Sequence, residues 1–116
     1  MKENTSNIVY LITAEQLGIS DEGPGKNLMN NYLHALSQSQ TVPKAIMLIN
    51  TGVRLAVKES EAFEELKAIS DRGCDILSCG MCLNYYELTE KLAVGRISNM
   101  MEITGISESA EQTITL

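Results

Sequence analysis

Short apolar runs alternating with amphipathic stretches constrain this chain more than any other feature. Ile8-Val9-Tyr10-Leu11-Ile12 and Ala45-Ile46-Met47-Leu48-Ile49 are continuous apolar segments rich in β-branched residues, and Ile76-Leu77-Ser78 closes a third, shorter one. A strand exposed to water on one side alternates polar and apolar residues. A strand without that alternation is buried on both faces, as in a parallel sheet. Between the runs lie stretches of helical period. Leu28, Met29, Tyr32, Leu33 and Leu36 mark an apolar stripe over Lys26–Gln38, and Phe63, Leu66 and Ile69 mark another over Glu61–Asp71. Ser60 is placed to cap the second, and Gly73 to end it. Tyr85–Leu92 reads as a third helix. Asn99–Ile106, capped by Ser98 with Met100 and Ile103 facing inward, reads as a fourth. Ile114 and Leu116 alternate in a final strand. Val53, Leu55 and Val57 alternate with Arg54, Ala56 and Lys58, which suits a short edge strand, and Ala93–Ile97 reads as a connection.

Strand and helix in repeated alternation predict an α/β fold, a doubly wound open parallel sheet of about five strands with helices on both faces. Right-handed crossovers bring the carboxyl ends of the strands to one edge, where ligands bind. Thr13, Asn50, Thr51, Gly52, Ser78 and Cys79 belong to such ends. The 116 residues suit one domain, with a polar tail over 1–7 and a single α/β unit over 8–116.

Composition removes whole classes of function. The net charge is −6 with no basic run, against the concentrated basic face that phosphate backbones require, so no nucleic-acid partner is expected. No apolar stretch approaches the ~20 residues of a membrane span, and Met1–Asn7 lacks a signal-peptide centre, so a cytoplasmic location is expected. Without tryptophan and with Phe63 the only phenylalanine, the core must be aliphatic and methionine-rich.

In a reducing compartment a Cys-x-x-Cys points to redox, catalytic or metal chemistry rather than a structural disulfide. Cys79-Gly80-Met81-Cys82 sits where the third strand turns into a helix. Unpaired backbone N–H groups and the positive end of a helix dipole favour the thiolate there. Cys79, at the turn itself, is expected to be the more exposed and more nucleophilic thiol, and Cys82 the more buried. Gly80 leaves room above Cys79. Cys74 reads as a small core residue. Cys74, Cys79, Cys82 and the distant His34 do not make a four-ligand zinc set, so no metal is expected. No cofactor is expected either: Gly23-Pro24-Gly25-Lys26 lacks the glycine spacing and the following Ser or Thr of a phosphate loop. A thiol–disulfide redox protein using Cys79 and Cys82, and a small-ligand binding module in which the cysteines are incidental, stay open on these residues alone.

Several segments together carry a resemblance. They are Gly23 with Gly25-Lys26-Asn27-Leu28-Met29, Pro43-Lys44-Ala45-Ile46 leading to Asn50-Thr51-Gly52-Val53-Arg54-Leu55-Ala56, Cys79-Gly80-Met81-Cys82-Leu83-Asn84-Tyr85-Tyr86, and Val94-Gly95-Arg96-Ile97-Ser98-Asn99-Met100-Met101-Glu102-Ile103. The chain resembles the DsrE/DsrF-like sulfurtransferase superfamily, and within it the C-terminal domain of the YedF-type selenium-metabolism proteins. The resemblance runs from about Ile8 to Leu116. It implies a sulfur or selenium carrier, sulfurtransferase-like if active, that relays sulfane sulfur as a persulfide on Cys79 with Cys82 assisting. The candidate pocket comprises Asn50, Thr51, Gly52, Gly80 and Asn99. The resemblance also implies a homo-oligomer and a TusA-like carrier or other persulfide donor as partner. In YedF-type proteins that partner is a fused domain bearing a Cys-Pro-x-Pro motif, and this motif does not occur in these residues.

Overall fold

The computed structural model describes residues 5–18 and 22–116. The first four residues, and 19–21 of the polar loop before the first helix, lie outside them. The elements in order are β1 (Thr5–Ile12), α1 (Gly25–Ser37), β2 (Val42–Leu48), a 3-10 helix (Asn50–Ala56), α2 (Phe63–Asp71), β3 (Asp75–Cys79), α3 (Gly80–Tyr85), a short 3-10 turn (Thr89–Lys91), β4 (Arg96–Ser98), α4 (Met100–Ser109) and β5 (Gln112–Thr115). The five strands form one all-parallel sheet in the order β4-β3-β2-β1-β5. The chain steps one way along the sheet from β1 to β4, then returns across it to β5. With right-handed crossovers that reversal puts α4 on the face opposite α1 and α2. No helix among the described residues is long and apolar enough to cross a membrane.

Burial follows the apolar runs. Val9, Ile12, Ile46, Met47, Leu48, Ile76 and Leu77 meet Met29 and Leu33 of α1, Leu66 and Ile69 of α2 and Ile103 of α4 in one aliphatic core. Its centre is β2, which has β1 and β3 on either side. Pro43 falls inside β2 rather than in the connection before it. It pairs with Ser6, and the register shifts between Ser6 and Val9. β1 there spends one more residue than β2, a bulge at the position where proline has no N–H to donate.

Several elements differ from the sequence reading. β1 begins at Thr5, so part of the expected polar tail is strand. Val53–Val57 is not an edge strand. Val53, Leu55 and Ala56 are buried, and the segment coils as a 3-10 helix because Gly52 must pass tightly over β1. The edge strands are instead β5 and β4, the latter beginning inside the expected connection. Gly95 turns the chain into β4 with φ +81°, and a side chain at Gly95 would strike the Ile76 carbonyl. The third helix occupies Gly80–Tyr85 and stops before most of the segment expected to form it. Leu28 and Met100 are exposed, not inward.

The cap of α4 is Asn99, not Ser98. Its side chain accepts from the Glu102 N–H at 2.9 Å. Arg96 bridges Asp75 (2.9 Å) and Glu102 (2.8 Å), tying β4 to β3 and to the first turn of α4. Hydrogen bonds from Arg96 and then from Ser98 lower the Glu102 pKa from 4.5 to about 2. A depressed carboxylate stabilises the fold fully above its unfolded pKa and loses that contribution as pH falls through its folded pKa. Unfolding midpoints of the wild type and Glu102→Gln are therefore expected to differ at neutral pH and to converge as pH drops from about 4.5 to about 2. A separation that persists at the lowest pH would contradict the ion pair as its source.

Candidate functional site

The carboxyl edge gathers segments that are distant in sequence. Leu48 at the end of β2 pairs with Ser78 of β3, and Cys79 pairs with Ser98 of β4. Cys79 is the last residue of β3 and the N-cap of α3. Its side chain points to the same face as Leu77, into the core, and only 3% of it is exposed, against 9% for Cys82. The expectation that Cys79 is the more exposed thiol is thus reversed. Strand alternation turns residue 79 inward, while Cys82, one turn along α3, faces the end of β2. The helix is also short: six residues are fewer than two turns at about 3.6 residues per turn, so little macrodipole acts on the thiols.

All three cysteines are free. Cys79 is the neighbouring thiol that acts on Cys82. The Asn50 N–H donates to Cys82 Sγ at 3.1 Å. Burial raises the Cys82 pKa, the Asn50 N–H opposes that rise, and the neighbouring Cys79 adds to it. Cys74, buried at the start of β3 with Asp75 beside it, is pushed up to about 12 and stays a thiol at neutral pH.

Asn50, Thr51 and Gly52 each have a defined task. Asn50 adopts φ +54°, the left-handed region that asparagine tolerates better than most residues. Its Oδ1 accepts from the Tyr86 hydroxyl at 3.1 Å. Thr51 Oγ1 accepts from the Glu15 N–H at 3.3 Å, joining this turn to the loop after β1. Gly52 passes so close to the end of β1 that an added Cβ would lie 2.6 Å from the Ile12 carbonyl oxygen. Gly80 packs against β4, where a Cβ would lie 3.1 Å from Ile97 Cγ2, so the space above it is filled by the edge strand. Asn99 is engaged as the cap of α4. The structure therefore draws Asn50, Thr51 and Gly52 together near Cys82, whereas Gly80 and Asn99 sit on the β4 side of the thiols.

Three residues of this edge escaped the sequence reading. Arg54 stacks over the Tyr86 ring, 4.5 Å from its centroid, and pairs with Glu15 at 3.2 Å. A crevice of about 200 Å³ opens beside that pair, lined also by Lys26, Asn30, Glu59 and Ser60. One signal in the sequence was the Asn50-Thr51-Gly52 turn, since Asn before Thr-Gly at a strand end marks a backbone that needs side-chain support.

The model of the DsrE/DsrF-like family matches residues 10–116. The chain belongs to the DsrE/DsrF-like family. Members of this family are associated with sulfur relay. The crystal structure of the ychN protein from E. coli superimposes on this DsrE-like chain with a TM-score of 0.73. The two share 15% identity, with all of each chain covered, so the likeness is one of fold. No curated protein matches the sequence.

Proposed function

We propose that this DsrE-like protein carries sulfane sulfur as a persulfide on Cys79, with Cys82 as the thiol that discharges it. The observation that carries this reading is the pair of free thiols at the carboxyl end of β3, with a backbone N–H donated to the second sulfur. In loading, the Cys79 thiolate attacks the outer sulfur of a donor persulfide. The donor S–S bond breaks, and the donor leaves as a thiolate with the electron pair. An acceptor thiolate can take that outer sulfur and return Cys79 to its starting state. Alternatively, the Cys82 thiolate attacks the inner sulfur, hydrosulfide leaves, and a Cys79–Cys82 disulfide forms that a dithiol reductant must reopen. A selenium analogue follows the same steps. The donor fitting this chemistry is a small persulfide-bearing carrier of the TusA type.

With 3% of Cys79 exposed, α3 must move for a second protein's sulfur to reach it. Met81 and Tyr85 of α3 are 76% and 78% exposed and offer a partner the means to move it. The test is intact-mass analysis after incubation with a cysteine desulfurase and cysteine. Gain of one sulfur atom at Cys79 supports the relay. Loss of two hydrogens in the wild type without release of hydrosulfide, together with no sulfur gain in Cys82→Ser, would replace it with the thiol–disulfide reading.

Self-association belongs to the same reading. Ile97 of the short edge strand β4, with Met100 and the 86%-exposed Met101 just after it, presents an apolar surface that a monomer would leave in water. Light scattering is expected to show a homo-oligomer that dissociates when Met100 and Met101 are both changed to Glu. A wild-type monomer at high concentration would refute it.

A further inference from the structure

Around Cys82 the structure holds more order than a sulfur at a turn requires. Asn50 is one of two non-glycine residues with positive φ among those described. Its carboxamide oxygen is held by the Tyr86 hydroxyl, and its N–H meets the sulfur. Tyr86 is itself fixed from three sides. Its N–H bonds the Cys82 carbonyl at 3.1 Å, its ring packs edge-on to Tyr85 at 5.0 Å, and Arg54 covers its face. Arg54 is in turn held by Glu15. A contiguous set of contacts thus runs from an ion pair at the crevice, through a ring and a carboxamide, to one backbone N–H aimed at a thiol.

We propose that Tyr86 and Asn50 are positioning residues for Cys82: the Tyr86 hydroxyl holds the Asn50 side chain, and Asn50 in its left-handed conformation aims its N–H at the Cys82 sulfur. This deepens the sulfur-relay reading and rests on it for its purpose, since the N–H stabilises the thiolate that attacks the Cys79 persulfide. A thiolate accepts that hydrogen bond more strongly than a thiol does. The titratable and charged groups around Cys82 are Cys79 from β3, Tyr86 at the end of α3, Arg54 from the 3-10 helix and Glu15 from the loop after β1. The variants below leave Cys79, Arg54 and Glu15 in place.

The experiment is a pH titration of the full chain labelled with carbon-13 at the cysteine Cβ atoms, which reads each thiol by NMR without any reagent having to reach it. Tyr86→Phe removes one hydroxyl and keeps the ring under Arg54. It is expected to raise the Cys82 midpoint by about one unit, a tenfold smaller thiolate fraction below the midpoint, as the loss of a hydrogen bond to a charged group implies. Asn50→Ala is expected to do the same, because alanine resists positive φ. Asn50→Gly lacks the carboxamide but adopts that φ freely. It is expected to raise the midpoint as far as Tyr86→Phe does, because the hold of the Tyr86 hydroxyl is lost in both.

Unchanged Cys82 midpoints in both Tyr86→Phe and Asn50→Ala would overturn the proposal. So would an Asn50→Gly midpoint at the wild-type value, which would make the backbone conformation alone, and not the carboxamide held by Tyr86, the requirement. A wild-type Cys82 that stays protonated up to alkaline unfolding would overturn it too. Persulfide loading of the wild type is a separate readout. Its failure would remove the relay and leave the titration result standing.

Discussion

Replacing Cys79 by serine is expected to abolish gain of sulfur from a persulfide donor, with the protein still folded. The hydroxyl is close in size to the thiol but far less nucleophilic near neutral pH, so the loss is chemical rather than steric. Cys82→Ser is expected to leave loading intact and to slow discharge, since the thiol that attacks the inner sulfur is gone. Cys74→Ala is expected to affect neither step. Its thiol is held up to about 12 and buried at the other end of β3, so it costs only packing. Peptide mass spectrometry of the three variants after donor treatment separates these roles. Sulfur found on Cys82 in the Cys79→Ser variant, in wild-type amount, would assign the carrier position to Cys82. That outcome has a structural basis, because Cys82 is the more exposed thiol and the one with a backbone donor.

Among the residues of the candidate site, the largest stability effect is expected at Gly52. Its missing Cβ would lie 2.6 Å from Ile12 O and 3.3 Å from Ile12 C, both backbone atoms of an interior strand that cannot swing aside. Gly52→Ala is expected to destabilise the fold by about 1–3 kcal/mol, the range of a forced shift in a packed interior. The Gly52 N–H also closes the turn onto the Ile49 carbonyl at 2.9 Å, so the strain falls on the segment that carries Asn50. A further rise of the Cys82 titration midpoint should accompany the loss of stability, because the Asn50 N–H that opposes the rise is displaced. Gly105→Ala is the control. It sits in α4 with nothing within 4 Å of the added carbon, and alanine there is expected to stabilise by up to about 1 kcal/mol. Urea unfolding of both variants measures the contrast. A Gly52→Ala protein as stable as the wild type would mean the turn is not held against β1.

The parallel sheet was legible because its cause is local. A strand buried on both faces must be apolar throughout, and Ile8–Ile12 and Ala45–Ile49 show that directly. The weak elements were not legible. β4 spans three residues, with Arg96 and Ile97 exposed, and owes its existence to the Gly95 turn and to the ion pairs of Arg96. Val53–Val57 has the alternation of a strand. A strand there would need a partner, and the tight passage of Gly52 over β1 coils it into a 3-10 helix instead.

For the site, the residues alone determined its place: a Cys-x-x-Cys at the end of the third strand, next to the end of the second. Strand order and the carboxyl-edge rule follow from short-range patterns and chain connectivity, which a sequence carries. The tertiary structure decided which way each sulfur faces and what touches it. Cys79 turned inward because the pairing of β3 with β4 sets the phase of its last residue. Cys82 received the Asn50 N–H because a left-handed residue, a tyrosine 36 positions later and an arginine over its ring meet at one point. Contacts between residues so far apart in sequence depend on how whole elements pack, and no periodicity along the chain encodes them.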